Sequence, residues 1–540
     1  MNNIKQLTIW LTLGILGLAV FVFFYEHASP TASIDIQVDK KEAVEKAARF
    51  INELGFDLAG YDKTVIFHSD YYASVYLQKT QGIKETNRLI REGVPVWFWR
   101  VRYFKELEKE GFYVDVDPAS GEIVNFYYSL LEDKQGANLS EREARAIAEQ
   151  RIALEAIGLG DYTLKDSTRK EQKRRTDYHF NWEKKDYKIE EATLRISVDV
   201  YGNKLGRYRR YLKVPEEFSR YLERETSLGQ VLAIASSIFT FILLIAAIFM
   251  LFSHFKQSNI DWKFALIFAS LVAPLEILDF LNRMPLLWNF YPDTISKAMF
   301  VMITLERALI TTFSVTLLVF ACAAVGELIS RDLWGTKIPL INAIKNQDFS
   351  ASRIAAKYIV GYSLGFIFLG YVSVFYIIGA KFFNIWMLPN THYSNILGMR
   401  IPVLFPLTFA VAAAVKEEVT YRFFGISFLK KGIKSGWLAV LIPALIWGFA
   451  HSDYAVFPNY VRGIELTIFG VALGMVFLKY GLLTVIIAHF VIDAVFAGLP
   501  LIKSHNPYFV ASGIIVVLLI FLPLLIVPLS RFIKTKRRMR

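Results

Sequence analysis

Apolar positions in this chain fall into long, unbroken runs at its start and throughout its second half, with a polar, alternating stretch between. One run covers 7–25. The others lie near 229–252, 263–281, 297–325, 355–386, 402–428, 436–452, 462–479, 481–499 and 508–530. A helix needs about 20 apolar residues to cross about 30 Å of hydrocarbon, so the pattern predicts about ten transmembrane helices. The first run follows only Lys5 and precedes no small-x-small cleavage site, which predicts a retained signal anchor over 1–25.

Residues 26–225 predict an α+β domain built from two copies of one pattern. In the first copy an amphipathic helix near 41–55 precedes strand-like segments near 64–78 and 97–104 and a hairpin from Gly111 to Leu130. In the second a capping-box-like Ser140-Glu-Arg-Glu143 opens a helix, followed by strands near 162–168 and 177–183 and a hairpin from Leu194 to Leu212. Each hairpin sets a strand ending in Val-Asp-Val before a Gly-containing turn and an aromatic second strand. The Asp-Pro-Ala-Ser-Gly-Glu turn at 117–122 resembles PepSY-type domains, and that resemblance implies a module that senses or restrains an extracytoplasmic ligand.

Composition and charge agree with a multi-pass membrane protein: 54% of the 540 residues are hydrophobic and 15% aromatic. The net charge of +12 is no nucleic-acid signal, because much of it borders the apolar runs, as in Arg531, Lys534, Lys536, Arg537, Arg538 and Arg540. Alternate threading puts that tail on one side with Lys256 and Lys263, with Arg331, Lys337 and Lys345, and with Lys430, Lys431 and Lys434. By the positive-inside rule that side is the cytoplasm, and 26–225 lies outside the cell membrane. The lone Cys322 excludes an intramolecular disulfide and a thiolate cluster. The expected organisation is a signal anchor (1–25), an extracytoplasmic tandem domain (26–225), four transmembrane helices (229–386), a chemistry-bearing helical core (400–500), and a last helix with a basic cytoplasmic tail (508–540).

Within the late apolar runs stand Glu417, Glu418, Arg422, His451, His489 and Asp493. An ionisable side chain in hydrocarbon costs roughly 2.5–3.5 kcal/mol on insertion scales, so such a group needs mutual partners or a watered cavity. On a helix Glu418 and Arg422 share one face, four residues apart, while Glu417 is turned about 100° away. One glutamate is thereby assigned to structure and one to chemistry. His489 and Asp493, also four apart, place a carboxylate beside an imidazole. A buried ion-pair cluster that only fixes helix packing is the plain alternative.

The order Glu417-Glu-Val-Thr-Tyr-Arg422, Trp447-Gly-Phe-Ala-His451 and His489-Phe-Val-Ile-Asp493 resembles the CAAX-protease and bacteriocin-processing (CPBP, or Abi) family of intramembrane proteases. It departs at Trp447, where the family usually has Phe. The resemblance implies Glu417 as general base with His451 as its partner, His489 and Asp493 as oxyanion or metal contacts, and Glu418 with Arg422 as the frame. Two mechanisms stay open: Zn held by His451, His489 and Asp493, or metal-free activation of water. The expected function is an intramembrane endopeptidase acting on a membrane-associated peptide or protein. A non-catalytic immunity factor or transporter, using the same cluster for binding or protons, is the alternative.

Two further expectations concern geometry. Straight parallel helices would leave Glu417, His451 and His489 at depths of roughly 18, 25 and 12 Å, so tilted or staggered spans must bring them together, with Gly425, Gly448, Gly470 and Gly474 allowing close approach. Glu276 and Asp279 in one span are expected to form a structural ion pair with Glu306 and Arg307 in the next, Arg307 supplying the counter-charge.

Overall fold

The computed structural model describes residues 2–28, 34, 36–155, 157–255, 260–334, 352–387, 395–504 and 506–524. The basic tail at 531–540 and the cluster members Lys256, Lys337 and Lys345 lie outside those residues. The chain is a polytopic helical membrane protein with an inserted α+β domain. Among the described residues eight helices are long and apolar enough to cross a membrane. The two remaining expected spans are helical but do not qualify. That near 402–428 is a rod made of α9 (Leu404–Glu417), a π-helical stretch (Glu418–Ile426) and α10 (Ser427–Gly432), and that near 436–452 is the 14-residue α11 (Gly436–Phe449).

The inserted domain is one eight-stranded antiparallel sheet in the order β1-β2-β3-β4-β8-β7-β6-β5. Its first half is α2 (Lys40–Glu53), β1 (Asp62–Ser69), α3 (Tyr71–Arg91), β2 (Trp97–Lys105), β3 (Glu108–Val116) and β4 (Ile123–Ser129). Its second is α4 (Glu141–Leu154), β5 (Tyr162–Glu171), β6 (Thr176–Ile189), β7 (Ala192–Tyr201) and β8 (Lys204–Lys213). The halves join at β4–β8, where Phe126 lies opposite Tyr208. Both Val-Asp-Val segments carry a register shift at the same place, Asp115/Val116 in one and Asp199/Val200 in the other. Alternate strand residues, among them Val114, Phe126, Phe180 and Val198, form the core under α2 and α4.

Two details differ from expectation. The strand-like segment near 64–78 ends at Ser69, because Asp70 caps the Ala73 amide and begins α3. The boundary expected at 225 falls inside the continuous helix α5 (Glu216–His254).

The sheet domain rests on one end of the bundle. Arg102 donates to the Asn289 carbonyl at 2.9 Å, Thr64 to that of Pro285 at 3.1 Å, and Lys40 to that of Gly398 at 2.9 Å. Phe104 lies against Trp288 and Tyr291. These contacts lie at the hairpin between α6 (Trp262–Leu287) and α7 (Lys297–Trp334) and at the turn before α9. The remaining spans are α1 (Asn2–Ala28), α8 (Ser352–Phe383), α12 (Tyr460–Tyr480), α13 (Leu482–Ile502) and the span that begins with α14 (Pro507–Ile520).

The expected ion pair between α6 and α7 is not formed. Asp279 pairs instead with Arg283, one turn along its own helix, while Glu306 and Arg307 face outward from α7. A partner at i+4 on the same helix needs no second span.

Candidate active site

The rod α9–π–α10 and helix α11 form a hairpin about the turn at 433–435, where Ser435 caps the Leu438 amide. Glu417 and His451 stand sixteen residues on either side of that turn and so reach the same depth. His489 is only seven residues into α13, which starts beyond the turn at Gly481 (φ +88°). At about 1.5 Å per residue the Gly481 turn sits roughly 13 Å nearer the site than the 433–435 turn. Staggered helix ends thus close the expected gap. Close approach of α11 and α12 helps: a Cβ at Gly448 would lie 2.5 Å from Thr467 Oγ1, and one at Gly474 would lie 2.6 Å from Val440.

The structure brings all six candidate side chains together. Glu417 Oε2 lies 3.8 Å from His489 Nε2 and 4.0 Å from His451 Nε2. Asp493 Oδ2 is 3.4 Å from His489 Nε2. Arg422 Nη1 donates to Glu418 Oε1 at 3.0 Å, with both side chains at most 1% exposed. The pair forms within a wider π-helical turn rather than the α-helix expected, and π-helical turns recur at functional sites.

Four features were not read from the sequence. Glu418 Oε1 also takes His489 Nδ1 at 2.8 Å, so the framing carboxylate orients an imidazole as well as the arginine. Trp447 is more than an apolar wall: its indole Nε1–H donates to Glu417 Oε2 at 2.6 Å, and its ring receives the Arg422 guanidinium at 4.1 Å. Lys416 Nζ stands 3.3 Å from Glu417 Oε1. A lysine beside Glu417 was the available signal. Farther out, the fully buried Glu465 is held by Tyr376 and Arg462, each at 2.6 Å, and Arg462 lies over Tyr454, whose ring packs on His451. Arg462 and Glu465, three apart on an apolar helix, carried the same sequence signal as the residues that were chosen.

His451 Nδ1 is 2.8 Å from the Trp447 carbonyl, which accepts its proton and turns Nε2 toward Glu417. The 4.0 Å between Nε2 and Glu417 Oε2 is too long for a direct hydrogen bond and suits a bridging water. Among the described residues no group of three or more His, Cys, Asp or Glu side chains is arranged to hold a metal ion. His451 and His489 each have Nδ1 held by a protein oxygen at 2.8 Å and keep Nε2 turned toward Glu417.

The stretch that carries these groups, residues 399–495, matches the family described as Type II CAAX prenyl endopeptidase Rce1-like. Residues 399–495 are an Rce1-like CAAX protease domain. This Rce1-like domain contains Glu417, Glu418, Arg422, His451, His489 and Asp493. Outside it the likeness continues: over 504 residues, 92% of this chain and 96% of the relative, the chain is 22% identical to the Sporulation-killing factor biosynthesis protein SkfC of Bacillus subtilis (strain 168). The likeness therefore extends over the part of this chain that holds the sheet domain as well as over residues 399–495. No solved structure matches the chain.

Proposed function

We propose that the protein is an intramembrane endopeptidase that hydrolyses a membrane-associated peptide or protein. The observation that carries this reading is the convergence of Glu417 Oε2 with the Nε2 atoms of His451 and His489 within 4.0 Å. A water between Glu417 and His451 meets a carboxylate and an imidazole lone pair, and loses its proton to Glu417 as it attacks the scissile carbonyl. Trp447 and Lys416 hold the two carboxylate oxygens, which fixes the angle of approach. His489 faces a carboxylate at each ring nitrogen, Glu418 at Nδ1 and Asp493 at Nε2, so a ring protonated on both nitrogens can donate Nε2–H to the developing oxyanion. Glu417 then returns its proton to the leaving amine. The proposed route is metal-free, with Glu417 taking the proton directly, and no step passes through zinc.

SkfC is named for the biosynthesis of a sporulation-killing factor. By analogy with that name and with the family, the substrate is an apolar peptide that reaches the site from the bilayer. The sheet domain is assigned to the extracytoplasmic side of the cell membrane because Lys430, Lys431 and Lys434 surround the opposite end of the hairpin; its reading as a PepSY-like tandem module rests on the 117–122 turn alone.

The test uses full-length protein in lipid nanodiscs, incubated with apolar peptides and read by mass spectrometry for new termini. Glu417→Ala is expected to lower the rate by about 10³-fold or more and His451→Ala by about 10²-fold. Chelator should leave the rate unchanged, and loss with chelator would assign the zinc mechanism instead. Activity that survives Glu417→Ala would remove the base assignment.

A further inference from the structure

The seam between the two halves of the sheet holds an unassigned cavity. On the face away from α2 and α4, across β1–β4 and β8, the strands border a space of about 340 Å³, at the lower end of the range for small-ligand sites. Its charged lining is Arg100, Arg207, Arg209 and Arg210 against Asp70 and Asp115. Most of these charges are committed. Arg100 forks onto both oxygens of Asp115 at 2.8 Å, Arg209 meets Asp70 Oδ2 at 2.9 Å, and Arg210 meets Glu122 at 3.0 Å. The other oxygen of Asp70 caps α3.

Arg207 is the exception. Among the described residues its side chain makes no ion pair or hydrogen bond, and its Nε is buried without a partner. Its neighbour across the ladder, Asp199, is engaged by His179 Nδ1 at 2.5 Å. The equivalent position in the first half is Asn125, which lies opposite Asp115 and donates to it at 3.0 Å. The second half thus places a cation where the first keeps a neutral amide, and that cation lines the cavity. Tyr71, Tyr72 and Phe98 supply an aromatic wall.

One uncommitted guanidinium supplies one positive charge, which balances a monoanion, and its planar donors fit a carboxylate bidentately. We propose that this cavity binds a carboxylate carried beside an apolar side chain, as at the C-terminal residue of a peptide. The position suits such a ligand. Tyr71 and Tyr72 open α3, and Val75 on the next turn packs with Leu222, Trp386 and Phe457, the last of these on the segment that follows His451. Binding is measured without turnover, so this proposal and the protease reading fail separately.

The experiment is calorimetric titration of the full-length protein in nanodiscs with N-acetylphenylalanine, N-acetylphenylalaninamide and inorganic phosphate. Saturable binding of the acid is expected, at least tenfold weaker for the amide and for Arg207→Ala, partly kept in Arg207→Lys, and unchanged in Arg174→Ala, an exposed control. Amide binding equal to acid, full binding by Arg207→Ala, or no saturable binding of the acid would overturn the proposal. Tighter binding of phosphate, lost in Arg207→Ala, would reassign the cavity to phosphate. The acid and amide arms on the unaltered protein need no variant and so do not depend on one folding.

Discussion

The two halves of the sheet share a strand order, a hairpin motif and a bulge, yet they do different work. The first half inserts the 21-residue α3 between its first two strands and uses β1, β2 and α3 to sit on the bundle. The second joins β5 to β6 through a short turn and leaves β5 almost entirely exposed as an edge strand. Charged residues along that edge, such as Lys165, Arg169 and Lys170, discourage pairing with another chain. The corresponding cross-strand ion pair has also changed, from Arg100–Asp115 in the docked half to His179–Asp199 in the free half. The two halves share one frame. Differences in loops and in a few inward polar residues make one half a foot on the membrane domain and the other the outer wall of the seam.

Removing each aspartate in turn tests this contrast most severely. Asp115 is 2% exposed and satisfies Arg100 twice and Asn125 once, so Asp115→Ala strands a half-buried guanidinium and should cost about 3–5 kcal/mol. Asp199→Ala, whose partner His179 can discharge its ring, should cost about 1 kcal/mol. Thermal unfolding in nanodiscs compares the two, and equal losses would break the proposed asymmetry. Next in size is docking: Phe104→Ala removes a 4% exposed ring that packs against Trp288 and Tyr291 of the bundle and under Arg102 of its own strand, at about 3 kcal/mol. Because that face carries the domain, peptide cleavage should fall with it. Arg169→Glu on exposed β5 should leave both stability and cleavage unchanged.

Much of this was legible in the sequence. Apolar runs revealed the spans, and repeated Val-Asp-Val hairpins revealed the duplication, because period-2 burial and turn chemistry are local signals. The six candidate residues were visible for a different reason, since charge in an apolar run is conspicuous wherever it folds. What stayed hidden was relational. Helix α3 is amphipathic with a long polar share, and nothing local distinguished its Tyr71–Gln78 start from a continued strand except Asp70 as a cap. The join of β4 to β8 pairs segments about 80 residues apart, and the stagger of the Gly481 turn depends on neighbouring helices. Similarly, the link from Glu418 to His489 spans 71 positions, and no periodicity encodes it. The Asp279 pairing was misread because a distant arginine was preferred to Arg283, one turn away.

The smallest expected effect separates the halves by pH. Arg100 stays charged throughout the working range, so the docked pair should be insensitive to pH between about 5 and 9. In the free half, the hydrogen bond from His179 to Asp199 raises the imidazole above its usual 6.5, against an opposing effect of burial. A folded pKa above the unfolded one means that the pair's contribution is complete below about pH 6.5 and is lost as pH rises through the higher folded value. At a side chain 37% exposed, solvent screening keeps that contribution under about 1 kcal/mol. An NMR titration of His179 should therefore give a midpoint above 6.5. The unfolding temperature of the wild type should exceed that of His179→Gln by most at pH 5.5 and by least at pH 8.5. A His179 midpoint at or below 6.5, or parallel curves for the two proteins, would mean that the His–Asp pair is an incidental surface contact and that divergence at this position did not give the outer copy a sensitivity the docked copy lacks.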